Sequence, residues 1–119
     1  MGYPVSLLAA VSLALIGAAA PAASAGKTAR CLLETSDPSK YSGPCLFTLG
    51  PKGSFVLGPA KGRFLLDVFT SISVDIVAPD RAEVRGLTAD GVNSRWGGAK
   101  RSKRDPACWR GDDFSVCVH

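Results

Sequence analysis

The residues of this chain whose type and spacing bear most directly on chemistry are its cysteines, Cys31, Cys45, Cys108 and Cys117. An even set in a short exported chain forms disulfides rather than reactive thiols. Such a set permits three pairings. Cys31 with Cys45 and Cys108 with Cys117 is the expected one, because each pair brackets a turn-rich segment and can face its partner across a hairpin. Closing loops of those lengths stabilises by about 2.5 to 3 kcal/mol each through lost chain entropy in the unfolded state. Zinc is the competing use of cysteines. No Cys-x-x-Cys spacing is present and the only histidine is His119, so neither a metal site nor a cofactor is expected.

Other catalytic groups are sparse. His119 is the last residue, where fraying is expected, and no second histidine exists to act as base for a serine or cysteine nucleophile. Asp112 and Asp113 follow Gly111 and read as a turn rather than as a general acid and base. Arg110-Gly111-Asp112 falls in that same turn, where such residues are expected for backbone reasons. No glycine-rich loop followed by Lys-Ser or Lys-Thr supports nucleotide hydrolysis. A non-enzymatic protein is the expectation.

Charge carries more information. The chain has a formal net charge of +4, and its densest basic stretch runs from Arg95 to Arg110. There Arg95, Lys100, Arg101, Lys103, Arg104 and Arg110 are interrupted by a single acid, Asp105. Charge runs are usually solvated loops. This one is also flanked by Trp96 and Trp109, which could serve as stacking or cation-π platforms. The candidate binding residues are therefore Arg95, Trp96, Lys100, Arg101, Lys103 and Arg104, and the partners they suit are an anionic polymer, a lipid headgroup or an acidic protein. Trp109, beside Cys108, is expected to pack in the core over a disulfide. Nucleic acid would satisfy the charge pattern, but export removes it as a natural partner.

The elements that must position these residues begin after residue 25. Val5 to Ile16 is an apolar run and Ala23-Ser24-Ala25 a small-residue cleavage site, so residues 1–25 are expected to be a signal peptide and residues 26–119 a single domain, periplasmic or secreted. No apolar stretch in that domain is long enough for a transmembrane helix. A domain of this length has a marginal core, which makes the disulfides consequential.

Strands are expected at Ala29 to Glu34, Cys45 to Thr48 and Ser54 to Leu57, with 35–44 and 49–53 as turns. The most apolar segment, Arg63 to Val77, ends in Ile72, Val74 and Ile76 alternating with Ser71, Ser73 and Asp75, the period of a strand with one buried face. Its earlier part, Phe64 to Phe69, favours strand over helix through aromatic content and lack of caps. Ala82 to Thr88 is a further strand, and Val92 to Trp96 another that Gly97-Gly98 should interrupt. The sum is an all-β fold: a small antiparallel sheet, sandwich or barrel of six to eight short strands.

Several short motifs in order, Cys31-Leu32-Leu33-Glu34, Gly43-Pro44-Cys45, Gly53-Ser54-Phe55 and Ala107-Cys108-Trp109 followed by Cys117, resemble a group of small exported proteins of Gram-negative bacteria whose activity is unassigned. The resemblance implies a periplasmic, disulfide-bearing β domain. It departs before Ala107, where members of the group carry histidines and this chain has Asn93-Ser94-Arg95-Trp96. The chain is also similar in size and character to periplasmic inhibitors of C-type lysozyme. Tyr41-Ser42-Gly43 does not reproduce their Ser-Gly-x-x-Tyr order, so no inhibitory residue carries over. The functional expectation is an exported binding domain with a cationic face for an anionic envelope component or protein. The alternative is a structural or inhibitor-like protein whose basic loop is incidental.

Overall fold

A computed structural model describes residues 26–119; the expected signal peptide lies outside the described residues. Eight antiparallel strands follow one another around a closed barrel: β1 (Lys27–Thr35), β2 (Lys40–Leu49), β3 (Phe55–Pro59), β4 (Phe69–Ala78), β5 (Arg81–Thr88), β6 (Asn93–Arg101), β7 (Cys108–Arg110) and β8 (Phe114–Val118). Each strand pairs with the next, and β1 closes the ring on β8 with Cys31 opposite Val118 and Thr35 opposite Phe114. Closure leaves no edge strand exposed, which a short chain of this kind otherwise has to protect.

Alternation decides what fills the barrel. On β4, Ile72 and Val74 point inward and are fully buried while Ser71, Ser73 and Asp75 face outward. Leu33, Leu57, Val84 and Val116 join them as fully buried side chains, and at eight strands the interior is just wide enough to be filled by such residues. The outer wall of β4 to β6 carries Ser71, Ser73, Asp75, Glu83, Arg85 and Arg95 together with the exposed Val77 and Leu87. Among the described residues no helix is long and apolar enough to cross a membrane.

Both disulfides form with the expected pairing, Cys31–Cys45 and Cys108–Cys117, so no thiolate remains among them to ligate a metal. Their surroundings differ. Cys31 and Cys45 belong to the core cluster inside the barrel, whereas Cys108 and Cys117 are not part of it. Trp109 lies opposite Val116 and turns inward, so its neighbour Cys108, paired with Cys117, faces away from the barrel interior, where both cysteines are nonetheless only 3% exposed. Trp109 is only 3% exposed, as expected of a core residue.

Several boundaries differ from expectation. The turn between β1 and β2 is confined to 36–39, and Lys40 to Pro44 belong to β2, opposite Arg30 to Glu34. Pro44 is tolerated there for a definite reason. Its partner Arg30 directs both backbone groups to His119 on the other side, so the Arg30–Pro44 pair is a non-hydrogen-bonded one. The N–H that proline lacks would point away from β1, past the last β3 partner, Pro59 opposite Cys45. The Tyr41 hydroxyl donates to the Pro44 carbonyl on that side. Strand β4 starts at Phe69 rather than near Phe64, because Leu66 and Asp67 both take positive φ (49° and 68°) and turn the chain back so that Leu65 bridges Phe69. Leu65 and Leu66 are buried over the barrel's end. Strand β6 passes straight through Gly97-Gly98 to Arg101. A register shift between Val84 and Arg85 on β5 accommodates this, with Gly97 at a φ of 124° that other residues rarely adopt.

Candidate functional site

The meander sorts its links by end. The β2–β3, β4–β5 and β6–β7 connections gather at one end, and the β1–β2, β3–β4, β5–β6 and β7–β8 connections at the other. Strand β6 runs between the two, which separates residues that are close in sequence. Arg95 and Trp96 lie toward one end of it, Lys100 and Arg101 toward the other, roughly 16 Å apart at the rise of an extended strand. The six residues singled out from the sequence thus form two groups.

Lys100, Arg101, Lys103 and Arg104 stay together. Arg101 is occupied by its surroundings: its Nε lies 3.3 Å from Asp80 Oδ1, and its guanidinium carbon sits 4.7 Å from the centroid of the Trp109 ring. Trp109 therefore provides the cation-π platform at this end, from beneath the wall. The β6–β7 loop is tightly held. Ser102 Oγ accepts from the Arg104 and Asp105 amides, each at 3.2 Å, and Asp105 Oδ1 accepts from the Ala107 amide at 3.1 Å. The outer disulfide anchors the loop's exit at Cys108. His119, expected to fray, is instead fixed. It exchanges both backbone hydrogen bonds with Arg30 and places Nε2 3.0 Å from Asp105 Oδ2, because the β1–β8 ladder continues to this residue. The His119 hydrogen bond, then the Ala107 amide, holds the Asp105 carboxyl below its ordinary range.

Register adds Arg81, which no local sequence signal grouped with these, and brings Arg110 from the far end of the basic stretch beside Lys100. Lys100 lies directly opposite Arg81 on β5 and opposite Arg110 on β7, so Arg81, Lys100 and Arg110 form a row across three strands. All three are exposed on the outer wall. Strand neighbours are about 4.8 Å apart, and like charges placed opposite one another repel. Among the described residues, none of these three, nor Lys103 or Arg104, takes part in a salt bridge. Lys103, Arg104 and Arg110 with Ser102 line an open dish of about 690 Å³. Arg81, Lys100 and Lys103 also line an adjoining cleft of about 430 Å³ against Pro79 and Pro106, where, among the described residues, Asp80 is the one acid and is paired with Arg101. Such a surface can hold several phosphate, sulfate or carboxylate groups at once.

Arg95 and Trp96 belong to a different setting. Arg95 Nε lies 2.8 Å from Glu83 Oε1, so its charge is already met. Trp96 packs edge-on between Phe69 and Phe114, with ring centroids 5.3 and 5.6 Å away. These aromatics floor a cleft of about 520 Å³ whose rim includes Asp37, Asp67 and Asp113. The cluster requires glycine at two places, since a Cβ on Gly86 would lie 2.6 Å from Phe69 ring carbons and one on Gly111 2.1 Å from Phe114.

No protein-family model, curated protein or solved structure matches this chain.

Proposed function

We propose that this barrel is an exported, non-enzymatic binding domain that engages an anionic polymer through the Arg81–Lys100–Arg110 row and the adjoining Lys103 and Arg104. The observation that carries the reading is the row itself: three cations aligned across neighbouring strands, none of them in a salt bridge among the described residues that would relieve their repulsion. A bound polyanion supplies that relief. The hydrogen bonds of Ser102 and Asp105 together with the outer disulfide hold the loop backbone in place, so little loop entropy has to be lost on binding. The disulfides fit an oxidising compartment. A polymer with closely spaced charges suits the row better than an isolated headgroup does, because one chain can meet successive cations.

The test is retention of the oxidised protein on immobilised polyphosphate as a function of salt. Replacing Lys100, Lys103, Arg104 and Arg110 by Ser should abolish retention at physiological salt and lower the slope of log affinity against log salt by about one for each cation–phosphate pair removed. A control variant with Lys40, Lys61, Arg63 and Arg85 changed to Ser removes the same charge away from that end. Equal loss in both variants would reduce the effect to net charge and end the proposal. Stronger capture by vesicles containing an anionic phospholipid than by the polymer would move the partner to a lipid surface.

A further inference from the structure

The opposite mouth of the barrel presents the reverse chemistry. Asp37, Asp67 and Asp113 reach its rim from three separate links, β1–β2, β3–β4 and β7–β8. The first and third of these links are tied to one another, the Ser36 amide donating to the Asp113 carbonyl at 2.9 Å, and Asp37 accepts from the Thr35 hydroxyl and the Ser39 amide. Beneath the rim the floor is apolar and aromatic, formed by Trp96, Phe69, Phe114 and Leu66, with Val68 as a half-exposed lip. The one cation at the rim, Arg95, is paired with Glu83. At about 520 Å³ the cleft has the size of a small-molecule site, and its make-up, an apolar floor with a few polar groups at the edge, is the usual one for such sites.

We propose that this mouth binds a small organic ammonium ion with an apolar body. The body lies on the aromatic floor, where the Trp96 ring attracts positive charge, and the ammonium group meets the rim carboxylates. Charge complementarity selects this class: a neutral apolar ligand leaves the carboxylates unused, and an anionic one is repelled by them. The site is independent of the cationic end, since the two share no residue.

The experiment follows the indole N–H signals of the oxidised protein by NMR while phenethylammonium is added, with 3-phenylpropionate as the anionic counterpart of similar shape. A saturable shift of the Trp96 indole with phenethylammonium, little change at the buried Trp109, and no response to 3-phenylpropionate support the site. An Asp67→Asn, Asp113→Asn double variant should weaken phenethylammonium binding about tenfold while leaving the rest of the spectrum in place. The Ser variant of Lys100, Lys103, Arg104 and Arg110 should bind the ammonium unchanged, so failure of the polyanion reading and failure of this one are separable. Equal binding of 3-phenylpropionate, or no loss in the double variant, overturns the proposal. So does a shift of the Trp96 signal with protein concentration alone that disappears when Lys103 and Arg104 are changed, which would make the occupant the basic loop of a second copy.

Discussion

Lys100 shows most directly how a side chain can be held where it is electrostatically unwelcome. With Arg81 on one side and Arg110 on the other, its replacement by Thr, a good strand former, should raise stability at low salt by about 0.5 kcal/mol. Urea midpoints should show that gain shrinking toward zero in about 1 M salt, where screening removes the repulsion. Gly86 is the contrasting case, a residue fixed by space. Alanine there would push its Cβ into the Phe69 ring and close to the Trp96 indole, at a cost of about 1 to 3 kcal/mol, with a displaced Trp96 indole signal as the local readout. Asp105 sets an acid limit. Its carboxyl is held below the ordinary range when folded, chiefly by His119, so the stability it contributes is present above about pH 4 and is lost as pH falls through the lower folded value. Asp105→Asn should therefore flatten stability against pH in the acid range, with a lower plateau near neutrality. Cation clusters and glycines are visible in a sequence, but Arg81 and Gly86 carry no mark of their roles. Both depend on which residue lies opposite across a strand.

At the scale of elements, the two disulfides do different things although both close short hairpins. Cys31–Cys45 lies within the core and ties β1 to β2. Cys108–Cys117 lies on the outer wall and pins the exit of the cationic loop. Removing either pair as a double serine variant should cost about 2.5 to 3 kcal/mol by the loop-entropy argument, read as a lower urea midpoint. Only loss of the outer pair should speed trypsin cleavage at Lys103 and Arg104 in the folded protein, because only that loop is released. The pairing could be read from the sequence, since both candidate loops are short and rich in turn residues. The placement could not, because inside and outside are exchanged by a one-residue change of register. The same holds for β6. Gly97-Gly98 reads as a break, yet Gly97 absorbs the bulge and lets the strand carry Arg95 and Lys100 to opposite ends.

Over the whole molecule, an uninterrupted meander makes the barrel two-ended. Links that alternate along the chain segregate in space: Lys52, Lys103 and Arg104 outnumber Asp80 and Asp105 at one end, and Asp37, Asp67, Asp90, Asp112 and Asp113 outnumber Lys61 and Arg63 in the links at the other. A barrel polarised in this way should approach a polyanion with its cationic end first, and its association rate should fall steeply with salt. Moving the acidic end's charge toward zero by Asp37→Asn, Asp90→Asn should leave polyphosphate affinity nearly unchanged, because the β1–β2 and β5–β6 links that carry them lie at the end of the barrel away from Lys103 and Arg104. Local information in the sequence determined the all-β class, most of the strands, the disulfide pairing and the buried fate of Trp109, because periodicity, turn chemistry and short loop closure act between near neighbours. Only closure of the ring decided that the basic stretch would divide, that Arg81 and Arg110 would flank Lys100, and that Trp96 would sit among carboxylates. Those outcomes follow from the register of distant strands, which the filling of a common interior fixes and no single segment records.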